Sequence, residues 1–141
     1  MSEKSHLEFG HTNGYRPLFL GGGLVLVFTP IHFFVAQNVS ILISALTLAI
    51  IAGAFIGFAA QARSQMVFLG ELVVAIGFAL IALVGVLWHP AAIAVGLILH
   101  AAWDFLHHNT DFGAKVPEWY IPFCVFVDIA AGAFLLVLYL Y

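Results

Sequence analysis

Charge is what this sequence has least of. Only 8% of its 141 residues are charged, against roughly a quarter in an ordinary soluble domain. Lys and Arg together number four, too few to build a nucleic-acid surface, which needs clustered basic side chains along a face or groove. A single cysteine, Cys124, excludes an intrachain disulfide. Residues 1–16 are polar and mixed in charge, without a secretory n-region, and no small-residue cleavage pattern follows the first apolar run. That run is therefore expected to be a retained helix. Internal repeats and low-complexity tracts are also missing, so one domain is expected at this length.

What is present in excess is apolar surface. The chain is 64% hydrophobic, with a mean hydropathy of +1.12, a composition that belongs to an integral membrane protein. A helix needs roughly 20 apolar residues to cross the hydrocarbon core. Five runs meet that length, at about 17–36, 39–60, 66–88, 90–108 and 117–141. Lipid offers no partner for backbone N–H and C=O groups, so these runs are helices. The expected fold is an all-α bundle of five transmembrane helices over residues 17–141, behind a polar N-terminal tail over residues 1–16.

Lys4, Arg16, Arg63 and Lys115 all fall on one side of five such crossings. Basic residues favour the cytoplasmic side, so the N-terminus is expected in the cytoplasm and the C-terminus outside, across a cell membrane. Pro17, Pro90 and Pro117 stand where first-turn prolines belong, while Pro30 should kink the first helix and Pro122 should bend the start of the last. Gly53 and Gly57 form a G-x-x-x-G on the second helix, a weak signal for close helix contact.

The ionisable residues that remain are concentrated in "LHAAWDFLHHNTDF", Leu99 to Phe112. At about 100° per residue, His100, Asp104, His107 and His108 share a stripe roughly 100° wide on the fourth helix. Glu71 lies inside the same end of the third helix. Tyr120, Cys124 and Asp128 are spaced by four on the fifth. Glu71, His100, Asp104, Cys124 and Asp128 are thus expected to converge in the cytoplasmic half of the bundle. A carboxylate at that depth costs a few kcal/mol or more unless it is paired, protonated or bound to a cation.

Metal binding suits the set. Imidazole and carboxylate donors at i, i+4 and i+7 can meet one divalent transition ion, Zn or Fe. His100, Asp104, His107 and His108 are the candidate ligands. Asp128 and Glu71 are the candidate catalytic groups, as general base or further ligand. Blander roles stand beside these. His107 and His108 could simply favour the helix C-terminus, Asp104 and His100 could be a structural hydrogen-bonded pair, and Cys124 reads more readily as a packing residue than as a ligand. His32 sits too far out to join the cluster, His89 reads as interfacial, and His6 and His11 as solvated.

The stretch Leu99-His100-Ala101-Ala102-Trp103-Asp104-Phe105-Leu106-His107-His108, followed by a Pro117-containing loop and then Cys124 and Asp128, resembles a bacterial family of small integral membrane proteins of unknown function. Their hallmark is L-H-x-x-W-D-x-x-H-H, then a cysteine and an aspartate in the next helix. The similarity covers about residues 99–132, and Cys124 and Asp128 are further apart here than in the family. It implies that the His/Asp set is a family site and brings no activity with it.

The residues favour a metal-dependent enzyme acting on a lipid-like substrate that enters between helices. Two other classes remain open. One is a non-enzymatic accessory subunit packed on a membrane-protein partner or on a second copy of itself. The other is a proton or ion conductor using Asp128, Asp104 and His100 as a relay. The lipid bilayer is the one partner all three share, and nucleic acid is a partner of none.

Overall fold

The computed structural model describes residues 15–108 and 111–141. Most of the expected polar tail, with Lys4, His6 and His11, lies outside the described residues. The described chain is helical throughout: α1 (Arg16–Phe28), α2 (Ile31–Phe34), α3 (Gln37–Ala59), α4 (Gln65–Leu87), α5 (Ala91–His107) and α6 (Tyr120–Leu140). Four stretches are long and apolar enough to cross a membrane, namely Arg16–Phe34, Gln37–Ala59, Gln65–Leu87 and Tyr120–Leu140. Ala91–His107 is apolar but shorter, at 17 residues.

The prolines punctuate this layout. Pro30 does more than kink the first run. It has no N–H to give, and the chain turns at Thr29–Pro30 before resuming as the short α2. Pro17 lies in the first turn of α1, and Pro90 caps α5. The last helix begins three residues later than expected, because Pro117 sits in a turn whose carbonyl accepts from Tyr120 N at 2.9 Å. Pro122 is thereby moved into the first turn of α6, where a missing N–H leaves no hydrogen bond broken, and the expected bend has no cause there.

The short helix α5 is the centre of the bundle. It packs against α3, α4 and α6, while α3 also packs on α4, and α1 lies on the outer side of α6. Its buried residues, Ile93, Ala94, Gly96, Leu97, His100, Ala101, Asp104 and His107, follow a helical period. The apolar upper part meets Leu48, Phe78 and Leu135 in one core cluster. The polar lower part faces the functional site. Most of the remaining surface is apolar and exposed, as in Leu26, Phe34, Ile50, Leu80 and Leu87. A soluble monomer does not carry a continuous surface of this kind, and lipid is the solvent that suits it.

One close approach fixes the depth at which α5 and α6 meet. A Cβ on Gly132 would stand 3.0 Å from the Ala94 carbonyl oxygen and 2.8 Å from Ile98 Cγ1. Only glycine lets the two helices come this near. Asp128, one turn earlier on α6, is brought within reach of α5 as a result.

Candidate metal centre

Two polar clusters are buried on the lower half of α5, and they differ in kind. The first joins α5 to α6. His100 Nδ1–H donates to Asp128 Oδ2 at 2.8 Å, and the same nitrogen stands 3.6 Å from Asp104 Oδ2. The Cys124 thiol donates to Asp128 Oδ2 at 3.9 Å. One donor atom from each of His100, Asp104, Cys124 and Asp128 lies within 4.8 Å of the others. None of the four side chains reaches solvent: His100, Asp104 and Asp128 are 0% exposed and Cys124 2%.

The hydrogen bonding of this cluster is incomplete. In the neutral imidazole with its Nδ1 proton directed at Asp128, Nε2 of His100 is a lone pair. His100 Nε2, both Asp104 oxygens and Asp128 Oδ1 are buried without a hydrogen-bond partner among the described residues. Buried polar groups are nearly always paired, and each orphan costs on the order of 1–3 kcal/mol. Two carboxyl groups, an imidazole and a thiol within one small sphere form an N/O/S donor set of the kind that binds zinc or iron. Such a cation neutralises the carboxylates and occupies the orphaned lone pairs. The group could hold a metal ion.

Aromatic rings wall the cluster. Phe55 from α3 and Phe78 from α4 meet the His100 ring edge-on at centroid distances of 5.6 and 5.0 Å. These contacts fix the imidazole plane and keep water from that side.

The second cluster joins α5 to α4 and to the α5–α6 connection. His107 Nε2 lies 2.8 Å from Glu71 Oε1. Its Nδ1 lies 3.0 Å from the Trp103 carbonyl, which can only accept, so Nδ1 carries a proton. Glu71 also accepts from Ala114 N at 2.9 Å through Oε1 and from Trp103 Nε1–H at 3.3 Å through Oε2. Every polar atom of this cluster has a partner. Gly113, at φ 68°, carries the chain past the pair.

The expected convergence therefore divides in two. His100, Asp104 and Asp128 meet, and Cys124 joins them as a fourth donor rather than serving only to pack. Glu71 and His107 do not join this group: they bond each other. His108 does not either, being exposed at the C-cap of α5, with its backbone N–H on the Phe105 carbonyl at 3.2 Å. The reason is geometric. His107 is turned about 60° from Asp104 and stands roughly 10 Å along the axis from His100. On a helix with neighbours on both flanks, those offsets point Asp104 at α6 and His107 at α4.

Several participants were not singled out from sequence. The Trp103 indole and the Ala114 N–H hold Glu71, and Phe55 touches the rings of both His100 and His107, the latter at 4.8 Å. At the far end of the bundle His32 Nδ1 bonds Ser40 Oγ at 2.8 Å, away from the cluster as expected. His89 accepts from Ala91 N at 3.2 Å and caps its own turn, in keeping with a structural role.

No known protein family, curated protein or solved structure matches the chain.

Proposed function

We propose that this protein is a membrane metalloprotein whose donor set His100, Asp104, Cys124 and Asp128 holds one divalent transition ion, zinc or iron, and that it acts as a metal-dependent enzyme on a lipid-like substrate. The observation that carries the reading is the set of four orphaned donor atoms in a site closed to solvent. When bound, such an ion supplies Lewis-acid or redox chemistry. The chain's own residues then have distinct tasks. Asp128 orients His100 through the 2.8 Å hydrogen bond at Oδ2 and offers its remaining oxygen, Oδ1, to the ion. Phe55 and Phe78 exclude water from the His100 side. Glu71, first considered as a catalytic group, instead positions His107, and with it the end of α5.

The same proposal includes five crossings of a bacterial inner membrane, with the N-terminus in the cytoplasm. Arg16, Arg63 and Lys115 support it, because all three lie at the end of the bundle formed by the starts of α1, α4 and α6. It also includes membership of the family with the L-H-x-x-W-D-x-x-H-H stretch. Both supporting residues of that stretch, His100 and Asp104, contribute to the donor set.

Elemental analysis of the detergent-purified protein tests the metal. The expected result is close to one equivalent of zinc or iron in the parent and in His89→Ala, and its loss in His100→Ala with helical content unchanged. A parent protein without metal overturns the reading. A second reading then takes its place, favoured by the direct His100–Asp128 hydrogen bond: a structural lock between α5 and α6 in an accessory subunit.

A further inference from the structure

A cleft of about 330 Å³ runs between α1 and α3 and is open along one side, with its floor on α5 and α6. Among the described residues, no Asp, Glu, Lys or Arg lines it. Its polar side chains are Thr29, His32, Ser44 and Thr47, set among apolar ones. Its inner wall includes Leu97 and Val127, one turn from His100 and one residue from Asp128 respectively.

The direction of every proton along the adjoining hydrogen-bond chain can be worked out. Ser44 Oγ–H donates to the Ser40 carbonyl at 2.9 Å, and that acceptor has no proton to return. Ser44 Oγ can therefore only accept from Tyr139 OH, 3.1 Å away. The phenol's one proton is then committed, so it accepts from Ser40 Oγ at 2.8 Å. Ser40 Oγ, its own proton committed, accepts from His32 Nδ1–H at 2.8 Å. Nδ1 of His32 thereby carries a proton, and because an apolar lining without a carboxylate disfavours the charged ring, Nε2 is left as an acceptor. Thr47 Oγ1–H is likewise committed to the Ile43 carbonyl at 2.8 Å. Three of the four polar side chains lining the cleft thus offer lone pairs and no proton.

We propose that this cleft binds an uncharged, hydroxyl-headed lipid, a long-chain alcohol in its simplest form. The hydroxyl donates to the His32, Ser44 and Thr47 end, and the chain lies along the wall that leads to Leu97 and Val127. The charge-free lining rejects phosphate, carboxylate and ammonium heads, which lose their hydration without gaining a counter-charge. A carbonyl or ether head brings only an acceptor to a row of acceptors.

The test uses the full chain in phosphatidylcholine nanodiscs, with a hexadecanol carrying a photoreactive diazirine in its chain. Labelling is measured with and without prior chelation of metal, and the labelled residues are mapped by mass spectrometry. The expected result is saturable labelling on the facing sides of α1 and α3. Hexadecanol should compete, whereas its methyl ether and hexadecyl phosphate should compete about tenfold or more weakly. His32→Phe, which keeps a ring beside Phe134, should weaken labelling by a similar factor. Ala131→Phe, which fills the cleft, should abolish it, with circular dichroism of both variants unchanged. Labelling that never saturates, that the ether competes away as well as the alcohol, or that survives Ala131→Phe overturns the proposal. Because the cleft residues are not donors to the metal centre, labelling that persists in chelated protein upholds the lipid site whatever the metal analysis gives.

Discussion

The two buried clusters of α5 both set carboxylate against imidazole, with their histidines about 10 Å apart along the helix, and they reach opposite states of completion. Around Glu71 and His107, a carboxylate and an imidazole are saturated by each other, by an indole, by a carbonyl and by a backbone N–H. Around His100, Asp104 and Asp128, one good hydrogen bond is formed and four donor atoms are left over. A buried polar network that is complete within the chain holds a fold together and asks for nothing more. One that is incomplete is costly unless something outside the chain completes it. Burial and residue type do not separate a structural cluster from a binding one here. The count of unpaired atoms does.

The widest gap between the clusters should appear in metal content. Asp128→Asn removes a charge and an oxygen donor from the incomplete cluster, and retained metal should fall by at least about tenfold. Glu71→Gln changes a residue of the same type in the complete cluster and should leave metal content where it was. Equal losses in both variants would mean that the clusters act as one centre, and the comparison would break.

Stability of the metal-free protein should reverse the order. Glu71→Leu orphans the His107, Trp103 and Ala114 donors at once and should destabilise by about 3–5 kcal/mol, the scale for breaking a buried pair from one side. Asp104→Leu removes two oxygens that have no partner without metal, and should be neutral or stabilising by about 1–3 kcal/mol. Chemical unfolding of both variants in mixed micelles after chelation reads the difference. A destabilised Asp104→Leu would show that Asp104 already has a structural role in the metal-free state.

Gly113→Ala gives a smaller and more local effect. The left-handed backbone at φ 68° costs a non-glycine residue about 1–2 kcal/mol. The new Cβ would also stand 2.5 Å from Glu71 Oε1, pressing on the complete cluster alone. The Cβ would press on His107 Nε2 as well, so stability should fall by at least that amount while metal content holds. A loss of metal in this variant would reveal that the α5–α6 connection governs both clusters.

Much of this was legible in the residues, for definite reasons. Helices were forced by the need to pair the backbone in lipid. The burial of Glu71, Asp104 and Asp128 follows from the cost of a carboxylate facing acyl chains. His100, Asp104 and Asp128 could be grouped because i, i+4 spacing on one helix and depth on the next are both one-dimensional quantities. What could not be read was direction around the α5 axis relative to two neighbours. The 60° between Asp104 and His107 looked like one stripe, yet it separates α6 from α4. That Trp103 and Ala114 hold Glu71 could not be read either, because an indole N–H and a backbone amide in a connection carry no signal in composition. The proton chain from His32 to Tyr139 spans α2, α3 and α6 and exists only once they are packed.

Cys124 marks the finest distinction between the clusters, because the complete one has no sulfur. Its thiol is 3.9 Å from Asp128 Oδ2, a weak hydrogen bond whose loss is cheap. Cys124→Ser should therefore change the stability of the metal-free protein by less than about 1 kcal/mol, within the range of a mild core substitution. Its effect should lie in which ion is kept. With a thiolate the set of one N, two O and one S suits zinc. With a hydroxyl in its place the set is harder and should favour manganese or iron over zinc. Purified Cys124→Ser, equilibrated with equimolar zinc and manganese, should then show a lower zinc-to-manganese ratio than the parent, at similar total metal. An unchanged ratio would reduce Cys124 to a packing residue and leave His100, Asp104 and Asp128 as a three-donor site, the arrangement that keeps a coordination position open for substrate.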